Sequence, residues 1–208
     1  MTDESSAELP PEAFARLDDG DDLDFYAFPR LVDHIDEGAV AALTALYAKI
    51  LPAGGVILDL MSSWVSHLPA GLATSEVIGH GMNAEELAAN PRLTSWFIQD
   101  LNDDRALGFD DASLDAVLCC VGIQYLQHPI AVAREVRRIL KPGAPFLVSF
   151  SNRCFWTKAV EIWRRLSDHG HNNLVRWYLE KAGFAEIESY VPSDGSQSDP
   201  LIVVVGRV

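Results

Sequence analysis

The chain is short of cysteine, of long apolar runs and of positive charge, and each scarcity removes a class of protein. Only three cysteines occur among 208 residues, and Cys119 and Cys120 are adjacent, a poor arrangement for bridging each other. A disulfide scaffold is thereby excluded, and a reduced, cytoplasmic setting is expected. No apolar stretch reaches the ~20 residues a membrane helix needs, and Met1-Thr2-Asp3-Glu4 has neither the basic nor the apolar region of a secretory signal. Sixteen Lys and Arg stand against thirty Asp and Glu, giving a formal net charge of −14. Nucleic acid, which demands clustered cations, is therefore not an expected partner. Neither is a membrane.

The acids are concentrated at one end. Residues 1–24 hold nine of them against Arg16 alone, which predicts a disordered, solubilising tail. The run Asp18-Asp19-Gly20-Asp21-Asp22 lacks the alternating ligands and the distant Glu of a calcium loop, so no metal site is expected there. His169 and His171, in Asp168-His169-Gly170-His171-Asn172-Asn173, read as a turn and helix cap, because no second cluster completes a metal site. Two further motifs are missing: there is no G-x-G-x-x-G and no Tyr-x-x-x-Lys, which argues against a nicotinamide oxidoreductase.

What remains suits one domain over residues 25–208, with residues 25–52 as an entry segment and helix that form a lid. Asp36 is placed to cap a helix with Val40, Leu43, Tyr47 and Ile50 on one face. Val56 to Leu60 then reads as a buried strand. Further strands are predicted at Glu76–Gly79, Trp96–Gln99, Asp115–Cys120, Pro145–Phe150, Phe184–Val191 and Leu201–Val205. Helices are predicted at Ala84–Ala89, from Pro129 to Leu140, at Lys158–Leu166 and at Asn173–Ala182, the last stopped by Gly183. Helical crossovers between the first five strands imply an α/β fold: three Rossmann-like layers around a seven-stranded, mostly parallel sheet. The turn-rich Pro192–Pro200 predicts a hairpin that makes one strand antiparallel.

Ligands of such sheets sit beyond the carboxyl ends of the strands. After the first strand, Asp59 is followed by Leu60-Met61-Ser62-Ser63-Trp64-Val65-Ser66-His67, an acid and small residues of the kind that lets a nucleoside with an amino-acid tail approach near a helix start. After the second come Gly79-His80-Gly81-Met82-Asn83. No acid stands near Gly81 to bind a ribose; Asn83 could do so, or could simply cap the next helix. After the third, Asp100 is placed to accept from an adenine amino group and the Leu101 N–H to reach a ring nitrogen.

Three segments carry a family resemblance. Leu107-Gly108-Phe109-Asp110-Asp111-Ala112-Ser113-Leu114-Asp115 is similar to L-P-F-x-D-x-S-F-D, Leu140-Lys141-Pro142-Gly143-Ala144 to L-K-P-G-G, and Leu179-Glu180-Lys181-Ala182-Gly183-Phe184 to L-x-x-A-G-F. In this order they resemble a class I S-adenosylmethionine-dependent methyltransferase over residues 56–208. The resemblance implies S-adenosylmethionine as cofactor. It matches Asp59 to the acid of the first motif and Asp100 to the adenine-side acid, and it places Cys120 and Val121 against the cofactor. Met61, Ser63 and Val65 stand where the family prefers glycine, and Gly81 where it has the ribose acid.

The acceptor is expected to be a small, partly anionic molecule, bound by a monomer or homodimer. Tyr26, Arg30, His34, Trp64, His67, Gln124, Tyr125 and Arg153 are the candidates around it, with Arg30 and Arg153 as a joint anion clamp and Tyr26, Trp64, Tyr125 and Trp156 as an apolar wall. No Asp/Asn-Pro-Pro-Tyr follows the fourth strand, where Gly122-Ile123-Gln124-Tyr125 stands. The alternative is a methyltransferase-like fold that binds the cofactor, its product or another nucleoside without turnover.

Overall fold

The structure, a computed structural model, describes residues 9–208. Seven strands, β1 (Val56–Leu60), β2 (Glu76–Gly81), β3 (Ser95–Ile98), β4 (Ala116–Cys120), β5 (Pro145–Phe150), β6 (Glu186–Ser193) and β7 (Leu201–Arg207), form one sheet in the order β3-β2-β1-β4-β5-β7-β6. The first five run parallel. β7 is antiparallel to both β5 and β6, so the predicted hairpin inserts its second strand between them. The chain order reverses between β1 and β4, the point at which such sheets open a crevice.

Helices occupy both faces. α2 (Glu37–Ile50) starts where Asp36 accepts from the Ala39 N–H at 2.9 Å, and buries Leu43, Leu46 and Tyr47. α3 (Ala84–Ala89) follows β2, α4 (Pro129–Ile139) follows β4, and α5 (Glu161–Arg165) and α6 (Asp168–Ala182) follow β5. Gly183 ends α6 at φ 91°, a left-handed cap that a side chain would strain. No helix among the described residues is long and apolar enough to cross a membrane.

Four expectations are corrected. The β1–β2 and β3–β4 connections contain no helix, so only part of the sheet is crossed helically. Pro69 and Gly71 account for the first case: proline removes a helical N–H and disfavours the helical region at Leu68. The helix expected from Lys158 is only the short α5, and Trp163 within it is core. α6 begins five residues early, capped by the Ser167 hydroxyl, so His169 and His171 lie in helix rather than in a turn. The His171 ring stacks on Trp163, with centroids 3.9 Å apart.

The acidic tail is the fourth. Residues 1–8 lie outside the described residues, but 9–24 are ordered, with a 3-10 turn at Pro11–Phe14 and the short α1 (Asp22–Phe25). The reason is a buried ion cluster. Asp22 pairs with Arg16 at 2.6 Å and Lys158 at 2.9 Å, and Lys158 is only 1% exposed. Lys158 also donates to the Gly20 carbonyl, and the Asn102 amide donates to Asp22. Residues 15–34 thus form a strap tied to the loops after β3 and β5. Burial alone would push the Asp22 carboxyl up; hydrogen bonds from Arg16, Lys158 and Asn102 outweigh it and hold the group below the ordinary carboxylate value.

Asp22→Asn should therefore lower stability by about 3 kcal/mol, since it leaves two buried cations short of a counter-charge. Read as urea midpoints, the wild-type advantage should be complete above pH ~4, where the unfolded carboxyl ionises, and should vanish as pH falls through the lower folded value.

Candidate functional site

A cavity opens beyond the carboxyl ends of β1, β2 and β4, enclosing about 1160 Å³ of empty space, part of it open to solvent. The strap roofs it with Asp22, Tyr26, Arg30 and His34. The ends of β1, β2 and β4 and the loops after β1 to β5 supply most of the rest, with Tyr47 from α2 and Glu86 from α3.

The floor is built around Asp59. This carboxylate is 4% exposed and accepts hydrogen bonds from Ser62 Oγ, at 2.7 Å, and from Ser66 Oγ. Burial is the largest influence on it and pushes its pKa up to about 6, against the two serine hydrogen bonds. With no helix to follow, the loop after β1 is held by side chains. Asn90 donates to the Ser63 carbonyl and to Ser66 Oγ, and Ser63 Oγ donates to Glu86. The Met61 N–H donates to His80 Nδ1 and the Ser62 N–H to the His80 carbonyl. Burial pushes the His80 imidazole down to about 4, so it is a neutral acceptor.

Met61 has φ 58°, the left-handed conformation for which glycine is the usual choice. The family's glycine thus marks a backbone requirement that this chain meets with strain. Val121, after β4, has φ 47°, a rarer state for a β-branched residue and one that costs on the order of 1–3 kcal/mol. Two strained residues flank the same crevice. Gly81 has a different reason: a Cβ there would lie 2.6 Å from the Ser62 carbonyl oxygen. No carboxylate fits at that position while the β1 loop has this shape.

The cavity brings together Tyr26, Arg30, His34, Asp59, Met61, Ser62, Ser63, Val65, His67, Gly81, Met82, Asn83, Asp100, Leu101, Cys120, Val121 and Tyr125. Asn83 caps α3, its Oδ1 accepting from Glu85 and Glu86 N–H while its amide donates to the Tyr26 and Ala27 carbonyls. It has no hydrogen bond to spare for a ribose. Asp100 uses one oxygen to accept the Asn102 N–H, and burial pushes its carboxyl up.

Four predicted neighbours lie elsewhere. Arg153 is 58% exposed and pairs with Asp199 at 2.7 Å, so it forms no clamp with Arg30. The Trp64 indole donates to the Val32 carbonyl at 3.0 Å and lies outside the cavity, and Trp156 is 57% exposed. Gln124 is buried below the cavity and donates to the Val121 carbonyl. Phe155 takes the place of the tryptophans, stacked on Tyr125 with centroids 5.9 Å apart. Sequence reasoning missed it, along with Asp22, Tyr47, Ser66, His80 and Glu86. Only the Asp22 cluster had a visible signal, an acid run facing a lone Arg16.

Asp59 sets a pH dependence. A carboxyl that binds its proton more tightly folded than unfolded destabilises the fold as pH rises from ~4 towards about 6. Stability should thus fall between those limits by on the order of 2 kcal/mol, and Asp59→Asn should flatten the profile of urea midpoints between pH 4 and 7.

Residues 67–148 match the family model described as a methyltransferase domain. Thiol S-methyltransferase TMT1B of Rattus norvegicus is 27% identical over 124 residues, 48% of this chain and 50% of that protein. The chain thus spans about half the length of this curated relative. An S-adenosylmethionine-dependent methyltransferase from Mesorhizobium loti superposes with TM-score 0.56 at 17% identity, over 81% of this chain and 98% of that one. One from Archaeoglobus fulgidus gives 0.59 at 10%, over 81% and 93%. The [4+2]-cyclase SpnF gives 0.58 at 14%, over 88% and 90%. Residues 67–148 are thus similar to the methyltransferase-domain family, and the chain has the fold of S-adenosylmethionine-dependent methyltransferases.

Proposed function

We propose that the cavity binds S-adenosylmethionine and that the protein methylates a small-molecule thiol. The observation that carries this reading is the charge pattern of the walls. Asp59, Glu86 and Asp100 outnumber Arg30, the sole lysine or arginine among the lining residues. That balance suits a ligand with two cationic centres and one carboxylate. The residues fit the cofactor elsewhere too: the second Asp100 oxygen carries no hydrogen bond and suits an amino N–H, and Leu101 is buried beside it.

When bound, the cofactor would supply an electrophilic methyl on a sulfonium, taken in line by a nucleophile as the carbon–sulfonium bond breaks and the thioether leaves. The protein's part is alignment, dryness and custody of the acceptor's proton. Tyr26, Tyr125 and Phe155 exclude water from one wall. His34 and His67 line the cavity, and burial lowers the pKa of each. For His67, Asp33 works against burial and His34 with it. A neutral imidazole at pH 7 accepts a proton, and His67 Nδ1 is buried without a partner. His67 is therefore the group that would take the proton of a bound thiol at Nδ1. A thiol also agrees with the printed name of the rat relative. Arg153 being engaged, the anionic acceptor clamp is not supported.

The test is transfer of labelled methyl to 2-mercaptoethanol and 3-mercaptopropionate. His67→Asn should lower kcat/KM about a hundredfold at pH 7, and the deficit should shrink by pH 9, where a far larger fraction of the thiol is already ionised. A loss that persists unchanged at pH 9 would remove His67 as the base. The packing of Ser62 where the ribose acid would stand favours a second reading, a fold that binds the nucleoside without turnover. Binding of S-adenosylhomocysteine with no transfer to any acceptor would be its signature.

A further inference from the structure

In parallel α/β sheets a ligand's anionic end is commonly held by the helix that starts after the first strand, through free backbone N–H groups and the helix dipole. Here that helix is absent. The loop in its place turns its first two N–H groups and its serine hydroxyls inward: the Met61 and Ser62 N–H groups go to His80, the Ser62 and Ser66 hydroxyls to Asp59, and the Ser63 hydroxyl to Glu86. Without a helix dipole, an anion at this end of the cavity is best met by a cationic side chain.

Arg30 is the residue with a vacancy. Its guanidinium carbon lies 4.8 and 5.8 Å from the ring centroids of Phe25 and Tyr26 in the strap and 5.4 Å from that of Phe155 in the loop after β5. Nη2 donates to the Phe25 carbonyl at 2.9 Å, whereas Nη1 is buried with no partner. Among the described residues no carboxylate forms an ion pair with it. The backbone is fixed as well, because the Arg30 N–H donates to Glu86 at 2.7 Å, the same carboxylate that binds Ser63 in the β1 loop. A buried guanidinium N–H without an acceptor is costly, and an arriving carboxylate relieves that cost through a charge-assisted hydrogen bond.

We propose that Arg30 binds the carboxylate of the cofactor's amino-acid tail, in place of the missing helix N-terminus. The assignment rests on the reading of the cavity as a nucleoside site. It makes the strap part of the cofactor site and joins it to the sheet through the bound tail.

The experiment is calorimetric titration with S-adenosylhomocysteine and with 5′-methylthioadenosine, which keeps the nucleoside and the thioether but lacks the tail. Arg30→Met should weaken S-adenosylhomocysteine by about tenfold to a hundredfold, the range for a hydrogen bond to a charged group. It should leave 5′-methylthioadenosine within about twofold, and Arg30→Lys should fall between wild type and Arg30→Met. Because both ligands are read on the same variant, a general loss of shape would lower both. Equal losses for the two ligands, or none for either, would overturn the assignment. Failure of the wild type to bind either nucleoside would instead overturn the reading of the cavity itself.

Discussion

The site is organised around a carboxylate that has been taken out of water. Asp59 sits at the end of β1, 4% exposed, with two serine hydroxyls turned onto it. Such a group must be met by donors or it costs several kcal/mol. Meeting it folds the following loop back over β1 instead of letting it climb into a helix. The positive φ at Met61 and the closure of Ser62 onto β2 accompany that turn. Gly81 then becomes a necessity, because its Cβ position lies against the Ser62 carbonyl. The substitutions that set this chain apart from its family's motifs are thus consequences of one local solution.

The same solution moves recognition from the sheet to the strap. In a sheet with a helix after β1, the phosphate or carboxylate end of a ligand meets fixed dipoles. Here the cation nearest that role comes from residues 15–34, held down by a buried ion cluster rather than by a large apolar face. The strap leaves Phe28, Leu31 and Val32 exposed while Asp22 and Lys158 are buried. A segment fastened by a few charged contacts opens at lower cost than one fastened by a core, which suits a roof over a cavity that must admit two substrates.

Much of the site could be read from residue types before any fold was known. Asp59, Asp100 and the small residues after β1 stand at strand ends, and period and turn chemistry were enough to find those ends. Asn83 was read equally as cap and as ribose ligand; its four hydrogen bonds give it to the cap and to the strap. Arg30 and Arg153 were indistinguishable as isolated cations. What separates them is Asp199, a residue that comes near Arg153 only because the β6–β7 turn folds beside the loop after β5. Phe155 and His80 carry no local pattern at all.

The sequence by itself determined the seven strands, the α2 N-cap at Asp36 and the Gly183 stop of α6, because these depend on periodicity and on short-range hydrogen bonding within a few residues. The tertiary structure alone decided that the first crossover has no helix, that the acidic segment from residue 9 is ordered, and which cation faces the cavity. Each of these turns on contacts between residues far apart in the chain, such as Arg30 with Glu86, Lys158 with Asp22, and Asn90 with Ser66. The energy of a buried polar group is set by the partners that surround it, and those partners are assembled only when the sheet closes.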